Sequence, residues 1–192
     1  MFIESITKEA LSDLPLQAFD GEIVLVDNDT EIEEAISYLK KQEVLGFDTE
    51  TKPSFKRGQV NQVALLQLST CDKSFIFRIN KIGLPNDLKA ILADENVTKV
   101  GVAIRDDIKT LQKINRFVPG GFVELQDEVK NYGIQDFSLK KITGIVLGFR
   151  ISKSQRLSNW EAEQLTEAQL SYAATDAWVS CEIFNSLIAA QS

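Results

Sequence analysis

Three apolar, β-rich runs lie close together in the first half of the chain, and they constrain its fold more than any other feature. The runs are Val44–Thr49, Val63–Ser69 and Ser74–Ile79. Strands joined by short connections favour an antiparallel meander. Segments with helical periodicity follow and alternate with short apolar runs. The order predicts an α/β domain whose mixed central β-sheet contains an antiparallel meander and is flanked by helices.

Further elements are predicted on both sides of the meander. Two capping-box patterns, Thr30–Glu33 and Thr166–Gln169, predict the starts of two helices, of which the second is long. We expect residues 1–20 to form an arm that packs on a single domain of residues 21–192. The other predictions are strands at 21–27 and 99–102, helices at 86–93, from 104 and at 139–147, an extended segment at 122–125 and a polar, basic loop at 149–160.

The chain contains no histidine and only two cysteines, which excludes several classes of catalytic site. Ser-His-Asp and Cys-His catalysis in their usual forms need a histidine. Histidine-bound zinc is excluded too, and two isolated cysteines cannot form a four-cysteine site. Hydrolytic chemistry would therefore come from carboxylates, hydroxyls, lysines or hard cations. The net charge of −7 opposes general affinity for nucleic acid, which relies on Lys and Arg.

The sequence gives no indication of a membrane protein. No apolar run approaches the roughly 18 residues that a transmembrane helix needs. The first residues, MFIESITKEALSD, lack the basic start and apolar stretch of a signal peptide. We therefore expect a cytoplasmic protein without a membrane partner.

Asp48 and Glu50 stand at the end of an apolar strand. Residues two apart in a strand point to the same face. Two buried carboxylates side by side repel each other, and a divalent cation between them removes that cost. The alternative is that both carboxylates lie at a solvated strand end.

Asp106 and Asp107 stand at the start of a predicted helix. Negative charge is favourable at a helix N-terminus, so the pair could serve the helix alone. The helical stripe formed by Ile104, Ile108 and Leu111 includes Asp107 and leaves Asp106 nearer the polar side. If one of the two reaches a buried metal ion, we expect it to be Asp107.

Tyr172 and Asp176 are four residues apart on the long C-terminal helix, so they share one face. Ala173, Ala174 and Ala177 flank them and would allow the helix to approach the sheet closely. Taken alone, the pair could also be an ordinary one on a helix surface.

Together these fragments resemble the DEDD superfamily of 3′→5′ exonucleases, in the subgroup that carries tyrosine in its third motif. Within it the chain is most similar to the exonuclease domain of the Werner syndrome protein, and more distantly to ribonuclease D. The resemblance covers roughly residues 25–190. It implies a ribonuclease H-like fold, and in the family's frame the second-motif aspartate is Asp107. The matching segments are FDTE, VALLQL, KVGVAIRDDIKTL and LSNWEAEQLTEAQLSYAATDAW.

The resemblance also implies an activity and its cofactors. It implies hydrolysis of nucleic acid from a free 3′ end, with release of nucleoside 5′-monophosphates. Two Mg²⁺ or Mn²⁺ ions would be held by Asp48, Glu50, Asp107 and Asp176, which suits the preference of hard cations for oxygen ligands. Tyr172, with an ordinary pKa of about 10, would orient the attacking water rather than deprotonate it.

Substrate contacts are predicted in two segments. The resemblance includes Arg156, Asn159 and Trp160, although Trp160 could equally be a core anchor. Lys56 and Arg57 are candidates for phosphate contact, and Phe55 for stacking on a base or for packing. Arg150 and Lys153 are further candidates, unless their loop is simply solvated. Two alternatives to an exonuclease are a non-catalytic nucleic-acid-binding module on the same fold and a phosphohydrolase acting on small nucleotides.

Overall fold

A mixed sheet of six strands, in the order β1-β4-β3-β2-β5-β6, forms the centre of the molecule. The computed structural model describes residues 2–54 and 61–191. The strands are β1 Glu22–Val26, β2 Val44–Thr51, β3 Val63–Ser69, β4 Lys73–Phe77, β5 Thr98–Gly101 and β6 Phe122–Glu124. The helices are α1 Lys8–Asp13, α2 Asp29–Leu39, α3 Ile79–Ile82, α4 Asn86–Ala93, α5 Ile104–Ile114, α6 Leu125–Glu128, α7 Leu139–Leu147 and α8 Glu167–Ala189, with a 3₁₀ turn at Val129–Tyr132.

The predicted antiparallel meander is confirmed at the middle of the sheet. Strand β3 pairs antiparallel with β2 on one side and with β4 on the other. The pairs β1–β4, β2–β5 and β5–β6 are parallel, which makes the sheet mixed. All seven residues of β3 are buried. This fits a central strand that is covered on both faces, where an unbroken apolar run is expected.

Alternation along β2 divides its side chains between two layers. Leu45 and Phe47 join the core that also contains residues of α2, α4 and α5. Gly46 faces α8, where a Cβ atom would overlap the carbonyl oxygen of Ala177. The missing side chain therefore lets α8 pack directly on the strand. The same alternation places Asp48 and Glu50 on the α8 side of the sheet.

The structure corrects two predicted boundaries and confirms the cap of α8. The predicted capping box at Thr30–Glu33 is wrong, because Asn28 is the N-cap of α2 and its side chain accepts from the Glu31 backbone N–H. Asparagine caps helices at least as well as threonine, so the earlier residue starts the helix. Strand β4 ends at Phe77 because Ile79 already begins α3. At α8, the predicted box of Thr166 and Gln169 is present with both of its hydrogen bonds.

The first twenty residues contact the remainder of the chain through apolar and polar groups. Ile6, Leu11 and Phe19 are buried. The Phe19 backbone N–H donates to Thr175 Oγ1 over 2.9 Å, and Leu16 forms a parallel bridge with Arg150. The division into an arm at 1–20 and one domain at 21–192 stays a prediction. Among the described helices, none combines the length and the apolar character that a bilayer span requires.

Candidate active site

Three carboxylates from two distant parts of the chain meet between β2 and α8. Asp48 and Glu50 come from the end of β2, and Asp176 comes from the middle of α8. One oxygen of each lies within 4.8 Å of the others. Asp176 is buried and the other two are half-buried. The close packing of α8 on Gly46 brings these groups together.

Each of these carboxyl groups has a raised pKa, and burial is the first cause in all three. The pKa of Asp48 is raised well above its usual range by desolvation and then by the charges of Glu50 and Asp176. Desolvation and the charge of Asp176 raise the pKa of Glu50 to about 8. Desolvation raises the pKa of Asp176 to about 7, although the Tyr172 hydroxyl and the charge of Lys153 oppose the shift. The arrangement therefore disfavours three negative charges until a cation joins them.

Asp107 lies beside this group but is held by a different contact. Its Oδ1 accepts a hydrogen bond of 2.5 Å from the Thr49 hydroxyl. Its charge raises the pKa of both Asp48 and Glu50, so it belongs to the same electrostatic site. Desolvation raises the pKa of Asp107 to about 6, although the hydrogen bond from Thr49 lowers it.

Asp106 points away from the cluster, in agreement with the predicted helical stripe. Its side chain is 91% exposed and pairs with Lys109 at 3.0 Å. The structure thus places Asp107 inward and its neighbour outward. This contrast between two adjacent aspartates supplies a matched pair for mutagenesis.

Two residues that position Asp107 and the start of α5 were not identified from the sequence. Thr49 alternates with Asp48 and Glu50 along β2, so its side chain faces the other side of the strand and meets Asp107. Glu124 accepts from the backbone N–H groups of Ala103 and Ile104, both at 2.9 Å, and so caps the start of α5. Strand alternation could have placed Thr49, but no sequence pattern links Glu124 to a helix that starts twenty residues earlier.

Tyr172 stands one helical turn before Asp176, and its hydroxyl is close enough to oppose the raised pKa of that carboxyl group. Desolvation and the charges of Asp176 and Glu50 raise the pKa of Tyr172 far above its usual range. The raised pKa favours the protonated phenol, which can donate a hydrogen bond. Trp160 packs beside it with the ring centroids 5.9 Å apart, which fixes the ring position.

The donors present fit a hard divalent cation. All the candidate ligands are carboxylate oxygens, which Mg²⁺ and Mn²⁺ prefer. In the part of the chain that the structure describes, no Lys or Arg nitrogen lies within ion-pair distance of Asp48, Glu50 or Asp176. Buried carboxylates without a cationic partner need compensation from another source. A metal ion held by the three residues would supply it.

The predicted substrate contacts divide into buried, tethered and exposed side chains. Trp160 is fully buried, so it is a core anchor rather than a surface that a substrate can contact. Arg150 donates through Nε to the Leu14 carbonyl, so this side chain binds the first twenty residues of the chain. Arg156, Asn159 and Lys153 are exposed, and the charge of Lys153 reaches Asp176. Phe55, Lys56 and Arg57 lie outside the described residues.

Comparison with known proteins agrees with this geometry. The model of a family described as 3′-5′ exonuclease matches residues 23–189. The chain belongs to this family. The match includes both segments that supply the carboxylates, and it starts after the first twenty residues. The match and the curated relatives support the predicted resemblance to the DEDD exonucleases.

Curated relatives place the chain near two groups of exonucleases. It is 35% identical over 194 residues to the mouse bifunctional 3′-5′ exonuclease/ATP-dependent helicase WRN, covering 95% of this chain and 14% of that protein. It is 28% identical over 171 residues to ribonuclease D of Bartonella henselae, covering 86% of this chain and 41% of that protein. The chain thus spans less than half the length of these two relatives.

Solved structures confirm the ribonuclease H-like fold. The exonuclease domain of Aedes aegypti Nibbler superposes with a TM-score of 0.79 at 25% identity, covering 89% of this chain and 90% of that one. Escherichia coli ribonuclease D superposes with a TM-score of 0.75 at 21% identity, covering 90% of this chain and 46% of that one. The second likeness supports the fold alone.

Proposed function

We propose that the protein is a metal-dependent 3′→5′ exonuclease that releases nucleoside 5′-monophosphates from a free 3′ end of nucleic acid. The observation that carries the proposal is the convergence of Asp48, Glu50 and Asp176 within 4.8 Å. The carboxylates come from segments more than a hundred residues apart in a chain of the exonuclease family. Burial raises all three pKa values, and neighbouring carboxylates add to the shifts of Asp48 and Glu50, which costs stability unless the site uses the charge.

We assign the carboxylates to two Mg²⁺ or Mn²⁺ ions. Asp48, Glu50 and Asp176 would hold one ion, while Asp48 and Asp107 would hold the other, Asp107 directly or through water. Such ions supply a nucleophilic water near neutral pH and stabilise the charge of the attacking and leaving oxygens. The hydrogen bond from Thr49 keeps Asp107 oriented beside the cluster.

Tyr172 has a positioning role toward the attacking water in this mechanism. Desolvation and the neighbouring carboxylates raise the pKa of Tyr172, which favours a protonated hydroxyl that orients water over a general base. A protonated phenol next to Asp176 donates one hydrogen bond and can accept another from water. The full burial of Trp160 behind it limits the movement of the phenol ring.

A degradation assay with end-labelled substrates tests the activity. Matched DNA and RNA oligonucleotides, single-stranded and 3′-recessed, are incubated with Mg²⁺, Mn²⁺ or EDTA. We expect 5′-labelled substrates to shorten in single-nucleotide steps with either metal ion and to stay intact in EDTA. Chromatography should identify the product as nucleoside 5′-monophosphate.

Binding without product would instead favour a non-catalytic nucleic-acid-binding module on the same fold. Asp176→Asn is the variant control for the assay, because it removes one ligand charge and keeps the side-chain volume. Shortening of the substrate by Asp176→Asn at the wild-type rate would contradict the proposed mechanism.

A further inference from the structure

An open groove of about 1020 Å³ lies at the C-terminal end of α5, away from the carboxylates. It is lined by residues 109 and 112–118, and we call it the basic groove. Three of its side chains, Lys109, Lys113 and Arg116, are cationic, and none of its lining residues is acidic. A concentration of positive charge is notable on a chain whose net charge is −7.

The cations of the basic groove are exposed and largely unpaired. Within the described ranges, Lys113 and Arg116 have no carboxylate at ion-pair distance. Lys109 pairs with Asp106, but both side chains are well exposed, at 68% and 91%. Such a surface pair contributes little and is easily exchanged for another anion. The positive charge of the groove is therefore available to a partner.

Hydrogen bonds hold the backbone of the groove in a fixed shape. Gln112 Nε2 donates to the Phe117 carbonyl at 3.0 Å. Asn115 Nδ2 donates to the Leu84 carbonyl at 3.1 Å, and its Oδ1 accepts from Lys89 Nζ at 3.1 Å. These contacts anchor the turn after α5 to the neighbouring α4 and its flanking loop. The cations are thus presented from an ordered backbone, which lowers the entropic cost of binding.

The groove and the carboxylates share helix α5. Asp107 lies in its first turn and Lys113 in its last turn. At 1.5 Å per residue, the two Cα atoms are about 9 Å apart along the axis. A nucleic-acid strand advances about 3.4 Å per nucleotide in a duplex, so this distance corresponds to about three nucleotides.

We propose that the basic groove binds the phosphate backbone of the substrate strand, on the 5′ side of the nucleotide that is removed. This inference rests on the proposed function, because it takes the 3′ end to lie at the carboxylates. The groove gives an acidic nuclease a local cationic surface for a polyanion. Contacts to phosphates do not depend on sequence, as a processive or general nuclease requires.

Charge reversal at two positions tests the proposal. The variant Lys113→Glu/Arg116→Glu is compared with Lys40→Glu/Lys41→Glu, which makes the same charge change at exposed positions before β2. We expect the groove variant to raise KM for a single-stranded oligonucleotide about five- to tenfold without changing kcat. The slope of log KM against the logarithm of the salt concentration should decrease by about 0.7 for each lost phosphate contact. The control variant should change KM less than twofold.

A small substrate separates the groove from the catalytic site. Hydrolysis of the p-nitrophenyl ester of thymidine 5′-monophosphate, which cannot reach the groove, should proceed at the wild-type rate in both variants. Equal effects of the two charge reversals would overturn the proposal, as would a lower rate with the ester. So would competition by poly-glutamate as strong as that of an oligonucleotide of equal charge, since the groove would then bind acidic proteins as well.

Binding measured without turnover keeps this test independent of the proposed activity. Fluorescence anisotropy of a 5′-labelled oligonucleotide is recorded in the Asp48→Asn background with and without the groove substitutions. Weaker binding caused by the groove substitutions supports the groove even if no wild-type nuclease activity is found. Unchanged binding contradicts the groove even if the activity is confirmed.

Discussion

The carboxylate cluster and the basic groove are two charged regions near one helix, and they differ in burial. Asp48, Glu50 and Asp176 are withdrawn from water, and desolvation is the first cause of each raised pKa. Lys113 and Arg116 are exposed to water and salt. Buried charges interact strongly because little solvent screens them, whereas exposed charges interact weakly and in a salt-dependent way. Substitutions in the cluster should therefore have far larger effects than substitutions in the groove.

The largest expected effect is the loss of activity in Asp48→Asn. Removing one ligand charge should reduce kcat by about 10³-fold or more, as for other residues that act directly on the reacting atoms. The same change removes repulsion in the buried cluster, so the melting temperature in EDTA should rise by about 2 to 8 °C. Nuclease assays and calorimetry measure the two quantities on the same sample.

Asp106→Asn provides the matched control for the buried aspartates. Asp106 adjoins Asp107 in sequence, but its side chain is 91% exposed. We expect this variant to keep activity within about twofold, as for most surface substitutions, whereas Asp107→Asn should lose most of it. A comparable loss in both variants would mean that burial does not separate the two positions.

Tyr172→Phe should have the next largest effect. It removes the hydroxyl that lies beside Asp176 and lowers the pKa of that carboxyl group, and it leaves the ring packed on Trp160. We expect kcat to fall by about 10- to 100-fold, typical of a group that orients another. The pH dependence of kcat should keep its shape, because the phenol does not titrate in the working range. If the pH profile of wild-type kcat has a limb that is absent from the profile of the variant, Tyr172 is instead the general base.

Sequence periodicity located the carboxylates because strands and helices have short, regular repeats. Alternation put Asp48 and Glu50 on one face, and the helical stripe selected Asp107 over Asp106. Both rules concern residues close in sequence. The meeting of Asp48 with Asp176 depends on how α8 packs on β2, which the local pattern does not contain. It was inferred only through the family resemblance.

Sequence patterns were weaker where burial depends on distant contacts. Trp160 stands in a polar loop, and the sequence left open whether it contacts substrate or anchors the core, whereas the structure buries it fully with Ala173 and Ala174. The segment just after Trp160 is held by Arg78, a buried side chain that donates to the carbonyls of Ala162 and Glu163. Neither contact follows from the spacing of residues in the chain. The groove after α5 was missed for the same reason, because its shape depends on α4.

The stability of the metal-free protein should depend on pH through the cluster. Glu50 and Asp176 have folded-state pKa values of about 8 and about 7, above the ordinary 4.5 and 3.8. The folded protein therefore binds protons that the unfolded chain releases between pH 8 and pH 4.5. Their contribution to stability should improve as the pH falls through this window, by about 1 to 3 kcal/mol.

Urea unfolding in EDTA measures this contribution as the difference between wild type and Glu50→Gln. That difference isolates the cluster from carboxylates such as Asp72 and Asp127, whose pKa values are lowered and whose contributions have the opposite sign. Saturating Mg²⁺ should reduce this dependence of stability on pH. A difference that does not change between pH 8 and pH 5 would show that Glu50 is not desolvated as the structure indicates.

Gln67 tests how burial affects stability when the buried polar side chain carries no charge. It is fully buried on the α8 side of the sheet, opposite Asp48 in the pairing of β2 with β3. In the described part of the chain, neither atom of its amide has a hydrogen-bond partner. Gln67→Met replaces it with an apolar group of similar size and should stabilise the metal-free protein by about 1 kcal/mol. A calorimetric loss of stability would show that the amide has a polar partner, such as a bound water.

The smallest effect on activity is expected for Lys113→Ala, which removes one exposed cation of the basic groove. Losing one exposed cation should raise KM for an oligonucleotide about twofold at low ionic strength, and the increase should vanish at high salt because counterions already screen the phosphates. The loss of activity in Asp48→Asn should not change over the same range of salt, since screening does not reach the buried cluster. Measuring both variants across one salt series therefore tests the contrast directly. If the effect of Lys113→Ala persists at high salt, the lysine makes a desolvated contact, and the groove belongs with the buried site rather than with the solvated surface.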